Sequence, residues 1–180
     1  MTPDAAVALS ADPSAPKVLD QLYRRQYFTD RRTEPQVSYR YHDLFREFLI
    51  NRAESEFDAP TLSTLRLDAG HLLLASGETD HAIELLCRSG RASEAQEAII
   101  DRAPSLLGQG RWTTLLESIK LLRDAQVSAS ASLLYWRGMA YIAADPIAAR
   151  KDLQGATLTP RSSSTCGLLT IAAVARYVNL

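Results

Sequence analysis

The sequence contains only two cysteines, Cys87 and Cys166, in 180 residues. Two thiols so far apart in the chain do not make a disulfide framework, and they indicate free thiols in a reducing compartment. The N-terminal residues contain no apolar run of signal-peptide length, and no segment has the roughly 20 apolar residues of a membrane span. The sequence therefore predicts a cytoplasmic protein without membrane contact.

An excess of charge of one sign is also missing, because the formal net charge is −1. Such a chain offers no whole-molecule field that would attract nucleic acid. Its glycines form no GxxxxGK[ST] phosphate loop, and His42, His71 and His81 lack the spacing of zinc ligands. We therefore expect no enzyme activity, no metal site, no cofactor held by this chain and no direct DNA binding.

Residues 1–57 carry the pattern of a partial winged-helix module. After an alanine-rich start interrupted by Pro3 and Pro13, a helix is expected behind Ser14 as a possible cap. Two short strands are expected in "QYFTD" and "VSYRYH", and a second helix from Asp43. We expect the earlier helices of a winged helix to be absent from the chain. The apolar stripe of the second helix consists of Leu44, Phe45, Phe48, Leu49, Ala53 and Phe57.

Residues 60–180 contain only helical patterns, the last of them in residues 165–180. Breaks at Gly77, Gly110 and Ala144 are 33 and 34 residues apart, close to the period of tetratricopeptide helix pairs. The predicted fold is therefore mainly α, a tetratricopeptide-like antiparallel helical repeat (an α-solenoid) behind a module with a two-stranded wing.

Three aromatic residues of the repeats, Trp112, Tyr135 and Trp136, are candidates for a ligand or partner groove. Packing between helices is the alternative use of such rings, and it is the more common one.

Basic residues cluster in the winged module, as a DNA-reading wing would require. Asp20, Asp30 and Glu34 are interleaved with them, which favours a solvated surface instead. A DNA-binding winged helix with a helical dimerisation arm is therefore the least favoured hypothesis for the function of this chain. The basic residues are Arg24, Arg25, Arg31, Arg32 and Arg40.

The stretch "YRYHDL", residues 39–44, places a His-Asp pair where a strand meets a helix. At the start of a helix, the Asp43 carboxylate can accept backbone N–H groups and favours the positive end of the helix dipole. His42, one residue earlier, is positioned so that a ring nitrogen could point at an anion.

Several segments of the sequence resemble segments of one protein family. The segments "LDQLYRRQYFTDRR" and "YRYHDLFREFL" are similar to the winged helix of maltose-regulator-type, LuxR-family transcription regulators of the STAND ATPase class. The segments "ASGETDHAIELLCRSGRASEAQEAIIDRAPSLLGQGRWTTLLESI" and "LLYWRGMAYIAADPIAARKDLQGA" resemble the helical-repeat sensor of those proteins. The resemblance extends over residues 5–178.

This resemblance implies a regulatory portion that couples two events. The repeats would bind a small-molecule inducer, a protein or a peptide, and the winged helix would sense ATP or ADP held by a nucleotide-binding domain missing from this chain. "HDL" is similar to the MHD motif of related immune receptors, with Tyr41 in place of Met. By that likeness His42 contacts the β-phosphate of ADP, and Asp43 is its partner at the helix start.

A free-standing tetratricopeptide-like adaptor that binds a peptide is the alternative function. For the regulatory function we expect the chain to be a fragment, with an exposed apolar patch at residues 168–180 that promotes self-association.

Overall fold

The computed structural model describes residues 1–34, 36–142 and 144–158. These ranges contain ten helices and one two-stranded antiparallel sheet, so the mainly α fold class is confirmed. The chain divides into two compact units, one of residues 1–77 and one that begins at Glu78. The first unit contains α1 (Pro3–Ser10), α2 (Ala15–Arg24), β1 (Thr29–Arg32), β2 (Ser38–Tyr41), α3 (Asp43–Glu56) and α4 (Ala59–Ala75).

The two strands form the predicted wing. Thr29 pairs with Tyr41 and Arg32 with Ser38 in an antiparallel register. Thr29 and Tyr39 are buried, whereas the strand residue between Tyr39 and Tyr41 is exposed, as the period of two requires.

The starts of two helices in the first unit differ from what the sequence predicts. Pro3 does not interrupt the first segment but occupies the first turn of α1, where a missing N–H costs nothing. Ser14 lies at the N-cap of α2 without capping it, because its hydroxyl donates to the Asp12 carboxylate at 2.8 Å. At α4 the capping bond is present, since Asp58 Oδ1 accepts the Thr61 N–H at 3.0 Å.

Helix α4 belongs to the first unit, where it contacts α1 and α3. The sequence placed the start of the helical repeats at residue 60, whereas the compact units divide 17 residues later, after Gly77. The reason is that α4 contacts helices that precede it in the chain. An apolar stripe does not show which other helices it will contact.

The described residues of the second unit, 78–142 and 144–158, form helices joined by turns and contain no strand. Consecutive helices α5, α6 and α7 contact each other, as do α9 and α10. The predicted final helix, 165–180, and the predicted apolar patch at 168–180 lie outside the described residues. The helices are α5 (Thr79–Arg88), α6 (Ala92–Gly108), α7 (Trp112–Lys120), α8 (Asp124–Ala129), α9 (Ala131–Tyr141) and α10 (Pro146–Leu158).

Glycines follow the ends of helices α5 and α6, and the second of them, Gly110, is a predicted break. Gly90 and Gly110 have φ values of 81° and 72°, a left-handed conformation that glycine adopts without strain. The next N–H then reaches back across the helix end: Arg91 donates to the Leu86 carbonyl at 3.0 Å, and Arg111 to that of Leu106 at 2.8 Å. These are Schellman motifs, and they turn the chain for the following helix. Helix α6 continues through Pro104.

The core of the second unit is aliphatic. In the described residues, no helix is both long and apolar enough to cross a membrane. The largest side chains that are completely buried are Ile83, Leu86, Ile99, Leu115, Ile119, Val127 and Leu133.

Candidate functional site

His42 lies at the corner between β2 and α3, where the sequence placed it. The backbone N–H of His42 donates to the Phe28 carbonyl at 2.8 Å, and the His42 carbonyl accepts the backbone N–H of Arg46 at 2.8 Å. These two bonds fix the backbone of the corner from both sides. The imidazole itself is exposed, and it makes no capping bond to α3. The ring is therefore free to meet a group that approaches from outside this unit.

Asp43 is the first residue of α3, and one expectation about it is wrong. The bond from a carboxylate to a first-turn amide is the geometry of an N-cap side chain, and the N-cap here is His42. Within the described residues, the Asp43 carboxylate accepts no hydrogen bond. Its contribution is limited to a favourable charge at the positive end of the helix dipole.

The start of α3 therefore keeps its first-turn N–H groups uncapped by a side chain. Two exposed cations flank it in the sequence, Arg40 on β2 and Arg46 in the first turn of α3. Neither forms an ion pair within the described ranges. Uncapped amides, a positive dipole end and nearby cations together suit an anion, although Asp43 opposes one.

The basic cluster of the wing is partly neutralised, as its interleaved acids predict. The Asp20 carboxylate lies 2.7 Å from Arg24 and 3.8 Å from Arg31. Among the described residues Arg25 and Arg32 have no such partner.

Phe28 is the residue of this corner that sequence reasoning missed. It has a φ of 46°, unusual for a residue with a side chain, and its carbonyl accepts the His42 N–H. Its ring lies against Phe45, with centroids 6.3 Å apart, and Phe45 also contacts the rings of Tyr41 and Phe48. No local sequence pattern predicts a phenylalanine with a left-handed backbone. The support that Phe28 gives to the His42 backbone is therefore visible only in the structure.

The three aromatics of the predicted groove have different surroundings. Trp112, the first residue of α7, is exposed, and Trp136 is half-buried. Tyr135 is only 8% exposed, and burial raises the pKa of its phenol. The rings of Tyr135 and Trp136 touch edge to face at 4.9 Å, whereas Trp112 makes no ring contact within the described residues. Tyr135 is therefore a packing residue, and Trp112 and part of Trp136 are the surfaces available to a ligand.

The hairpin of α9 and α10 contains an ion pair that the sequence did not predict. Arg137 binds Asp152 with two parallel bonds, Nε to Oδ2 at 2.6 Å and Nη2 to Oδ1 at 2.7 Å. The Asp152 side chain is 7% exposed, and its hydrogen bonds raise the pKa of Arg137. Bidentate pairing of this kind fixes geometry, which indicates a rigid element.

An antiparallel wing between α2 and α3, with a fixed corner before α3, defines the later part of a winged helix. Residues 1–61 match the family model described as the MalT winged helix domain. The match confirms the resemblance for the winged-helix segment, and that segment supports a transcription regulator of the MalT kind. Neither a curated protein nor a solved structure gives a significant match to the chain.

Proposed function

We propose that this chain is the regulatory portion of a STAND-type, LuxR-family transcription regulator, working in the cytoplasm without catalytic activity of its own. Its helical repeats bind an inducer or a protein partner, and its winged helix senses the nucleotide held by a separate ATPase domain. The observation that carries the proposal is the exposed His42 at a fixed corner, inside the segment that matches the MalT winged helix domain.

ADP fits this corner chemically. A phosphate oxygen accepts hydrogen bonds, and the His42 ring can donate one from either nitrogen when it is protonated. The uncapped N–H groups of α3 and the exposed Arg40 and Arg46 add positive potential. The nucleotide supplies the negative charge, and this chain supplies groups that hold the winged helix against it.

The second unit supports the repeat part of the proposal. In α9 and α10, Gly138 and Tyr141 have the G-x₂-Y spacing of a tetratricopeptide repeat, and Ala149 and Leu153 have its A-x₃-F spacing with Leu for Phe. A Cβ atom on Gly138 would lie 2.8 Å from Leu153 Cγ, so glycine permits the close approach of the two helices. The spacing therefore coincides with the packing that such repeats need.

The mechanism that follows is a population shift between a closed, ADP-bound state and an open state. An inducer shifts this equilibrium only by the ratio of its affinities for the two states. Loss of the His42 contact destabilises the closed state alone, so it should mimic the inducer.

A reporter experiment tests this function. The chain is joined to the ATPase and DNA-binding domains of a MalT-type regulator, and transcription is measured without inducer. We expect His42→Ala to raise the basal output, while His81→Ala, an exposed histidine of the second unit, leaves it unchanged. Equal basal output from all three proteins would contradict the proposal.

The adaptor function has one observation in its favour, the exposed ring of Trp112 at the start of α7. An adaptor would bind its peptide through Trp112, and Trp112→Ala would abolish peptide capture by the 180-residue chain. Capture that depends on Trp112 together with a reporter that ignores His42 would favour this second function.

A further inference from the structure

Residues 25–28, which connect α2 to β1 within the described part of the chain, include two residues with a left-handed backbone. The first, Gln26 with a φ of 56°, ends α2 in a Schellman motif, since the Tyr27 N–H donates to the Leu22 carbonyl at 3.0 Å. The second, Phe28 with a φ of 46°, lies beyond that motif. Its conformation is unfavourable for a residue with a Cβ atom, so it requires a separate cause.

Burial of the Phe28 ring does not provide that cause, because the residue is 66% exposed. What the conformation does determine is the direction of the backbone groups. The Phe28 N–H donates to the Gln26 carbonyl at 2.9 Å, and the Phe28 carbonyl accepts the His42 N–H at 2.8 Å. A change of φ to the usual negative range would rotate the carbonyl relative to the preceding chain and break this arrangement.

We propose that Phe28 is the positioning residue of His42. Its left-handed backbone aims a carbonyl at the His42 N–H, and this bond fixes the direction in which the imidazole leaves the corner. The inference rests on the proposed function, in which the imidazole contacts a phosphate group. It adds that the closed state depends on the backbone conformation at Phe28 as well as on the histidine itself.

The wing supplies an internal reference for a local change at the corner. Hydrogen-bonded positions alternate along an antiparallel pair, so the bonded pair next to Phe28 and His42 is Asp30 with Arg40. The amide of Arg40 therefore reports on the wing as a whole, whereas the amide of His42 reports on the corner.

Three substitutions of Phe28 separate the backbone from the ring in the 180-residue chain. Phe28→Gly, Phe28→Asn and Phe28→Ala all remove the ring, but glycine and asparagine accept a positive φ more readily than alanine does. We expect the His42 amide to exchange with deuterium about tenfold faster in Phe28→Ala than in Phe28→Gly, with Phe28→Asn close to Phe28→Gly. The Arg40 amide should exchange at a similar rate in all three variants. Nuclear magnetic resonance measures both amides in one experiment.

The release of ADP extends the test to the proposed sensor. With the chain joined to the ATPase domain of a MalT-type regulator, we expect Phe28→Ala to release labelled ADP several-fold faster than Phe28→Asn does. The double variant Phe28→Ala with His42→Ala should release ADP no faster than His42→Ala alone, because Phe28 acts through the histidine.

Equal exchange of the His42 amide in the three variants would overturn the proposal. Equal acceleration of the His42 and Arg40 amides would overturn it as well, since the whole wing would then have loosened. Additive effects of Phe28→Ala and His42→Ala on ADP release would show that Phe28 acts by another route, which also contradicts the proposal. If His42→Ala leaves ADP release unchanged, the proposed function fails, and the amide measurement still decides whether Phe28 positions the corner.

Discussion

Helices α3 and α10 have nearly the same length, 14 and 13 residues, and very different burial. Helix α3 carries the larger apolar side chains and buries none of its residues, and Leu44 is 79% exposed. Helix α10 is poorer in large apolar residues and buries Ala149, Asp152, Leu153 and Ala156. The difference lies in the neighbours, because α10 packs closely on α9 through Gly138, whereas α3 has ring contacts with Phe28 and Tyr41 and only slight contact with α4.

This comparison shows what an apolar stripe means. Burial of the apolar face lowers the free energy of the folded chain, but the face can be buried only if a neighbouring element has a surface of matching shape. In α9 and α10, small residues let the backbones approach, and a buried ion pair fixes the register. In the first unit, the same kind of stripe remains available for contact.

The largest expected contrast comes from truncating one leucine in each unit. Leu133 of α9 is completely buried, and Leu133→Ala should lower the free energy of unfolding by about 3 kcal/mol through lost burial and a cavity. Leu44→Ala should cost less than about 0.5 kcal/mol, because that side chain is already in water. Urea unfolding followed by circular dichroism measures both. Similar losses would show that α3 is packed in solution.

The ion pair of the hairpin should give the next largest effect. Arg137→Ala leaves a carboxylate buried without its partner, which should cost about 3 kcal/mol. The matched surface pair is Arg88 with Glu84, 3.0 Å apart and exposed, and Arg88→Ala should cost about 0.5 kcal/mol or less. Both tryptophans, Trp112 and Trp136, are in the second unit, so their fluorescence reports its unfolding in urea. Equal costs would mean that water reaches Asp152.

A smaller effect is expected from Gly138→Ala. The added methyl group would meet Leu153 at 2.8 Å and the Ala149 carbonyl oxygen at 3.2 Å, so α9 and α10 must separate slightly. The clash should exceed the gain in helix propensity and leave a loss of about 1–2 kcal/mol. Gly108→Ala in α6 is the control, because no atom lies within 4 Å of its Cβ position, and it should be neutral or slightly stabilising. If both substitutions stabilise the chain, the close approach at Gly138 is not limiting.

Much of the fold could be predicted from the sequence, because its signals are local. Asp43 begins a helix, Gly90 and Gly110 end helices, and the alternation around Tyr39 marks a strand. Proline was ambiguous, since Pro3 starts a helix and Pro104 continues one. The sequence could not show which unit α4 joins, because that depends on contacts with distant segments.

The candidate site could be predicted only in part. The position of His42 follows from a local strand-to-helix boundary. Its support by the Phe28 carbonyl depends on a left-handed backbone that a phenylalanine rarely adopts. The pairing of Arg137 with Asp152 depends on how two helices face each other, and the burial of Tyr135 does so as well. Spacing along the chain carries none of this information.

We propose that His42 holds a winged helix on bound ADP, and the rate of ADP release tests this role most directly. The chain is joined to the ATPase domain of a MalT-type regulator, loaded with labelled ADP and diluted into unlabelled nucleotide. Loss of one charge-assisted hydrogen bond, worth about 1.5–3 kcal/mol, should make His42→Ala release ADP about ten to a hundred times faster. The control His81→Ala should release it at the unchanged rate. Identical release from the unchanged protein and from His42→Ala would contradict the account.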